Sequence, residues 1–141
     1  MFGMMSNPRA AYVRVGIDMR VETADPHQLI VLLFQGARLA VSAASEHHKQ
    51  GNLMEMSRSI SNAIDIIAQG LKASLDYEAG GDLAQQLAAL YDYACSRLQS
   101  ANLRGNEAIF EEVNRLLSEL QGAWEEIGKD QPAVPPSRVA A

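Results

Sequence analysis

Apolar residues recur at steps of three and four along four stretches of the chain, most clearly at Ile109, Val113, Leu116, Leu120, Trp124 and Ile127. A helical turn takes about 3.6 residues, so these side chains share one face of a helix, and a face of that kind is buried in a folded protein. The other three stretches run from Leu29 to Ala44, from Met56 to Leu75 and from Leu83 to Ala101. Short breaks join the four faces, and burying them against one another is the cheapest arrangement. The pattern therefore predicts an all-α fold, an antiparallel up-down four-helix bundle.

Local chemistry places the helix ends. Asp25-Pro26-His27-Gln28 reads as an N-cap, a proline at the first helical position and a polar residue at N3. The first helix starts there and is expected to stop near Gly51, which can take the left-handed conformation of a helix end. At about 1.5 Å per residue, some 24 residues span roughly 36 Å. The second helix carries Met56, Ile60, Ala63, Ile64, Ile67, Leu71 and Leu75, with Gly70 as a weak point, and is expected to end before Gly80-Gly81. Asp82, with Gln85 three residues on, is the expected cap of the third helix, Asn106 the cap of the fourth, and Gly128 its end. The bundle so defined covers residues 23–128. Residues 129–141, with Pro132, Pro135 and Pro136, lack a face that can pack and are expected to form a disordered tail.

Residues 1–22 stand outside the bundle pattern. Val13, Val15, Ile17, Met19 and Val21 alternate as in a strand, while Tyr12, Val15 and Met19 fit one side of a short helix. A lone strand has no pairing partner, so this segment is expected to lie along the bundle with its apolar side in a groove between helices. Each buried aliphatic side chain contributes about 1.5–3 kcal/mol before ordering entropy is subtracted, which makes the docking marginal and reversible. Such a segment is a detachable cover.

Composition narrows the function. The chain has 141 residues, 48% of them hydrophobic and 6% aromatic, as suits one small domain with an aliphatic core. Its net charge is -5 and its cations are scattered, so a nucleic-acid backbone would be repelled. Cys95 is the single cysteine; it allows no disulfide within the chain, fits a reducing cytosol and reads as a small buried apolar group. No uninterrupted apolar run approaches the ~18 residues of a membrane span, and the N-terminus lacks the blocks of a signal peptide. Membrane insertion is not expected, and a cytoplasmic location is.

The residues offer little catalytic chemistry. A di-iron bundle needs Glu-x-x-His pairs, and no Glu stands three positions before a histidine. His47 and His48 are adjacent and point to different sides of a helix, the wrong spacing for one metal. There is no Gly-rich phosphate loop and no nucleophile and base with motif support, and Asp65, Asp76 and Asp92 read as solvated or capping carboxylates. His47-His48-Lys49-Gln50-Gly51 has the residue types of a histidine phosphotransfer bundle. Gly51 ends the helix there, however, whereas phosphotransfer needs its histidine in mid-helix, and cations at a helix C-terminus have a simpler role near its negative pole.

Surplus apolar surface is the stronger signal. Leu29, Ile30, Leu32, Leu33, Phe34 and Leu39 cover more than one stripe of the first helix, and Leu53, Ile66, Ala88 and Ala89 lie off the stripes of the next two. A wide core, a homodimer interface in a self-associating bundle, and a groove for another protein's amphipathic helix all fit. Met19, Met54 and Met56 would help a groove adapt to its occupant.

In this order and spacing the chain resembles the flagellar secretion chaperones of the FliS family. The matching blocks begin with Ala11-Tyr12, Thr23 through Ile30, Leu33-Phe34 with Gly36-Ala37, and Ala63-Ile64-Asp65-Ile66-Ile67. They continue with Leu75-Asp76, Gly80-Gly81, Leu90-Tyr91-Asp92-Tyr93, Arg97-Leu98, Ala101 through Arg104, Glu112-Val113, Leu116-Leu117, Glu119-Leu120 and Ala123-Trp124. The likeness implies a cytoplasmic chaperone without catalysis or cofactor. It would bind the disordered C-terminal segment of flagellin, block premature polymerisation and aid delivery to the type III export gate protein FlhA. It further implies partner-binding candidates: Tyr12, Val15 and Ile17 on the N-terminal segment, Ile64 on the second helix, and Tyr93, Arg97 and Asn102 on the third. Arg9 departs from family members that have an aliphatic residue three places before the tyrosine.

Overall fold

Asp25 opens α1 (Pro26–Lys49) as its chemistry requires, accepting the Gln28 N–H at 2.7 Å, with Pro26 where its missing N–H costs nothing. The computed structural model in which this is seen describes residues 25–130, so the cover at 1–22 and residues 131–141 lie outside the described residues. His47, His48 and Lys49 occupy the last turn of α1, and Gly51 follows at φ 75°. By length and composition α1 is apolar enough to cross a membrane, yet half of that apolar window is buried within the bundle, Leu29, Leu33, Phe34 and Val41 among it.

Asn52 caps α2 (Leu53–Asp65), which passes into a π-helical turn (Ile66–Leu71) and a 3-10 turn (Lys72–Ser74). A π turn admits one extra residue, so Ile66 and Ile67 both face inward, and Ile66 belongs to the core rather than to surplus surface. Gly70, within the irregular turn, also approaches α1 closely: a Cβ there would stand 2.9 Å from Leu33 Cδ2, and the leucine would have to shift to admit it. Ser74 donates its hydroxyl to the Gly70 carbonyl at 2.7 Å, serving a backbone acceptor in the irregular stretch.

The break between the second and third helices lies earlier than the Gly80-Gly81 pair suggests. Leu75 is extended, and Asp76, not Asp82, caps α3 (Tyr77–Arg104) by accepting the N–H groups of Glu78 and Ala79 at 3.1 Å each. Gly81, at φ 52° and ψ -128°, bends α3 after its first turn, a backbone conformation that side-chain-bearing residues avoid. Asn106 caps α4 (Glu107–Asp130) as expected, accepting the Ala108 N–H at 2.9 Å. That helix continues two residues beyond Gly128, because one glycine costs a helix only about 1 kcal/mol.

Each helix packs on its neighbours in the chain, and α4 closes on α1. Paired contacts fix the directions. His27 meets Trp124 and Ser45 meets Glu107, so α1 and α4 are antiparallel; Ser57 meets Asn102 and Lys72 meets Asp92, so α2 and α3 are too. Leu29, Leu33, Ile60, Leu98, Phe110 and Leu117 fill the core. The leading apolar stripe of α4 divides: Ile109, Val113 and Trp124 are buried, while Leu116, Leu120 and Ile127 are half-buried and Leu117 takes the central place.

Candidate docking groove

Where α3 and α4 run side by side, near the start of α1, their flanking side chains leave an apolar cavity of about 260 Å³. Leu83, Leu87 and Leu90 form one ridge and Leu120, Ala123 and Ile127 the other. Each ridge spans seven residues, two helical turns, or about 10 Å. Phe34, Tyr91 and Trp124 make the floor. Leu83 and Leu90 are 42% and 36% exposed, an unusual state for leucines on facing helices. Gln86 and Ser74 also line the cavity, and the Ser74 hydroxyl is already spent on Gly70.

The floor is fixed by a reciprocal clamp. His27 Nε2 lies 2.6 Å from the Trp124 carbonyl, Trp124 Nε1 donates to the His27 carbonyl at 3.0 Å, and the two rings stack with centroids 4.8 Å apart. Tyr91 tilts against Phe34 with ring centroids 6.4 Å apart. Its ring is buried, which pushes its phenol above the ordinary value, and its hydroxyl has no hydrogen-bond partner among the described residues.

The residues singled out from the sequence occupy other places. Tyr12, Val15 and Ile17 lie outside the described residues. Ile64 is half-buried against the core, its carbonyl 4.0 Å from Cys95 Sγ. Tyr93 and Arg97 join α3 to α4 through one carboxylate: the tyrosine hydroxyl donates to Glu112, and Arg97 Nε donates to it at 2.8 Å. Those two bonds, with the guanidinium charge, hold the Glu112 carboxyl below its usual range, and the bond to Glu112 raises the Tyr93 phenol against the opposing Arg97 charge. Asn102 accepts the Ser57 hydroxyl at 2.5 Å, tying α3 to α2. Ile64, Tyr93, Arg97 and Asn102 are thus engaged between helices, and none of them lines the groove. The groove residues Leu83, Leu87, Leu90, Leu120 and Trp124 read from the sequence as core. The available signal was the flank Leu83, Gln86 and Leu90, which runs beside the buried row Ala84, Ala88 and Tyr91.

The other reactive side chains are held in structural roles. His48 pairs with Glu107 through Nδ1, and Ser45 donates to the same carboxylate, joining the end of α1 to the start of α4. Burial alone would raise the Glu107 carboxyl, but the bonds from Ser45 and His48 hold it below its usual value. Cys95 is half-buried, and burial together with the nearby Asp92 pushes its thiol up to about 11, away from thiolate chemistry. Among the described residues no group of three or more His, Cys, Asp or Glu side chains is placed to hold a metal.

Comparison with known proteins gives this geometry a family. The chain matches the family model described as Flagellar protein FliS over residues 7–131. It is 45% identical over 117 residues to the Flagellar secretion chaperone FliS of Salmonella typhimurium, covering 83% of this chain and 87% of that protein. It is 40% identical over 116 residues to the FliS of Escherichia coli, covering 82% and 85% of the two chains. It is 38% identical over 116 residues to the Flagellar secretion chaperone FliSB of Pseudomonas aeruginosa, covering 82% and 91%. The chain belongs to the FliS family of flagellar secretion chaperones.

Proposed function

We propose that the groove between α3 and α4 is the client site of a non-enzymatic export chaperone in the cytosol. Its client is the C-terminal segment of flagellin, disordered when free, which folds into helix on the bundle. Holding that segment keeps flagellin from polymerising before it is handed to the export gate protein FlhA. The observation that carries this reading is the pair of parallel apolar ridges, Leu83 to Leu90 and Leu120 to Ile127, left open above a rigid aromatic floor. Ridges of two turns suit a helix presenting apolar side chains at i, i+3 or i+4, and i+7. A client that folds on binding loses ordering entropy at that step, so a broad contact still releases its cargo.

The N-terminal segment takes the role of a cover in this scheme. The chain enters the bundle at Asp25, two residues from the His27 and Trp124 clamp that forms the floor, so residues upstream need travel little to reach the groove. Tyr12, Val15 and Ile17 are the side chains proposed to fill it in the absence of client. Calorimetry of the full chain with the C-terminal segment of the cognate flagellin should give a one-to-one complex with a negative heat-capacity change. Absence of heat and of complex by sedimentation would overturn the reading.

A further inference from the structure

We infer that the groove selects among amphipathic helices by charge, taking those whose apolar face is flanked by lysine or arginine. This rests on the groove being a helix-binding site and adds the chemistry of the helix that fits.

Glu112, Glu119 and Glu126 stand seven residues apart on α4. Two turns of helix bring a side chain back to nearly the same side, with a drift of about 20° per step. Glu112 shows which side that is, because it reaches across to Tyr93 and Arg97 of α3. Glu119 and Glu126 therefore lie along the edge of α4 that faces α3, beside the ridge residues Leu120 and Ile127, and both are exposed. The antiparallel register that sets Tyr93 and Arg97 against Glu112 brings Asp82 of α3, also exposed and next to Leu83, to the level of Glu126. Both lips of the groove thus carry carboxylates.

Two of the described cations near these helices are committed elsewhere, whereas Arg104 and Arg115 stand in no ion pair among the described residues. Arg97 is bound to Glu112 and Lys72 to Asp92, and no described Lys or Arg forms an ion pair with Asp82, Glu119 or Glu126. An apolar groove with acidic lips repels a helix flanked by Asp or Glu and attracts one flanked by Lys or Arg. The floor offers one polar atom: Tyr91 lines the groove, and its hydroxyl makes no hydrogen bond among the described residues. A polar group on the incoming helix has a place to pair there.

Trp124 is the single tryptophan of the chain and forms part of the floor, so its fluorescence reports occupancy directly. The full chain would be titrated with two tryptophan-free peptides of about four helical turns, identical in their leucine pattern and flanked by lysines in one and glutamates in the other. Exposed ion pairs are individually weak, so the three carboxylates together should favour the lysine peptide by roughly tenfold at low salt, with the difference shrinking as salt screens it. The combined variant Asp82→Asn, Glu119→Gln, Glu126→Gln touches only exposed side chains and should bring the two peptides to equal affinity. Equal binding to the native chain, or a preference that survives in the variant, overturns the inference. If neither peptide shifts Trp124 while the flagellin segment still binds in calorimetry, charge selection at this groove is wrong and the client reading stands. If that segment fails as well, both fall.

Discussion

His27 and Trp124 hold each other twice, each side chain reaching the other's backbone carbonyl while their rings stack at 4.8 Å. The pair joins the first turn of α1 to the last third of α4, residues 97 positions apart in sequence. It also sets the plane of the indole that floors the groove, so one contact serves both bundle closure and site geometry.

His27→Ala should lower the unfolding free energy by about 1–2 kcal/mol, from one lost hydrogen bond and one ring stack. Trp124→Phe keeps much of the buried ring but loses the indole N–H, and should leave the His27 carbonyl without its donor. Urea unfolding of the two single variants and the double variant closes a mutant cycle. Residues in direct contact couple, so the double variant should lose less than the sum of the singles. Additive losses would show that the clamp is not an energetic unit.

The sequence was most legible where structure is local. Asp25-Pro26, Gly51 and Asn106 mark helix ends through bonds made within a few residues, and they stand where their chemistry puts them. The π turn was not legible, because the dense run Ile64, Ile66, Ile67 and Leu71 fits a regular helix as well as an expanded one. The approach of Gly70 to Leu33 on another helix is a tertiary contact that no local pattern shows. Asp76 and Asp82 both look like caps, and only the extended backbone at Leu75 selects the first. The groove was hidden for the same reason: Leu120 and Ile127 fall on the core stripe, and their half-exposure depends on how far α3 stands from α4.

Acid should weaken the interhelical ties through Glu107 and Glu112. Both carboxyls are held below their ordinary value of 4.5 in the folded chain, so each contributes stability that is complete above that value and is lost as pH falls through the depressed one. Tyr93 has the opposite sense: bonded to Glu112 and raised above 10.0, it contributes below that value and loses its part as pH rises through the raised one. These groups are near solvent, so screening keeps the effect small. Unfolding followed from neutral pH down to about pH 3 should show a shallower acid decline in a Glu107→Gln, Glu112→Gln variant than in the native chain. An unchanged acid slope would mean that the two carboxylates do not contribute to the linkage.

Cys95 should react slowly. Its thiol is pushed up from 9.0 to about 11, which leaves on the order of a hundredfold less thiolate at mildly alkaline pH. Alkylation in the native chain should lag that of the urea-unfolded chain by at least this factor, since half-burial also hinders access. A native rate equal to the unfolded rate would place the thiol in solvent.

Tyr91→Phe separates fold from site. The hydroxyl makes no hydrogen bond among the described residues, so removing it should leave the melting temperature nearly unchanged. If an occupant pairs with that hydroxyl, affinity for the flagellin segment should fall by roughly three- to tenfold, the range of one hydrogen bond. Leu90→Glu acts on the ridge instead. At 36% exposure it should change stability little, yet it places another carboxylate among apolar contacts and should weaken binding more than Tyr91→Phe does. Loss of stability in Tyr91→Phe would instead show that its hydroxyl supports the core, and full affinity in Leu90→Glu would move the client off this face of the bundle.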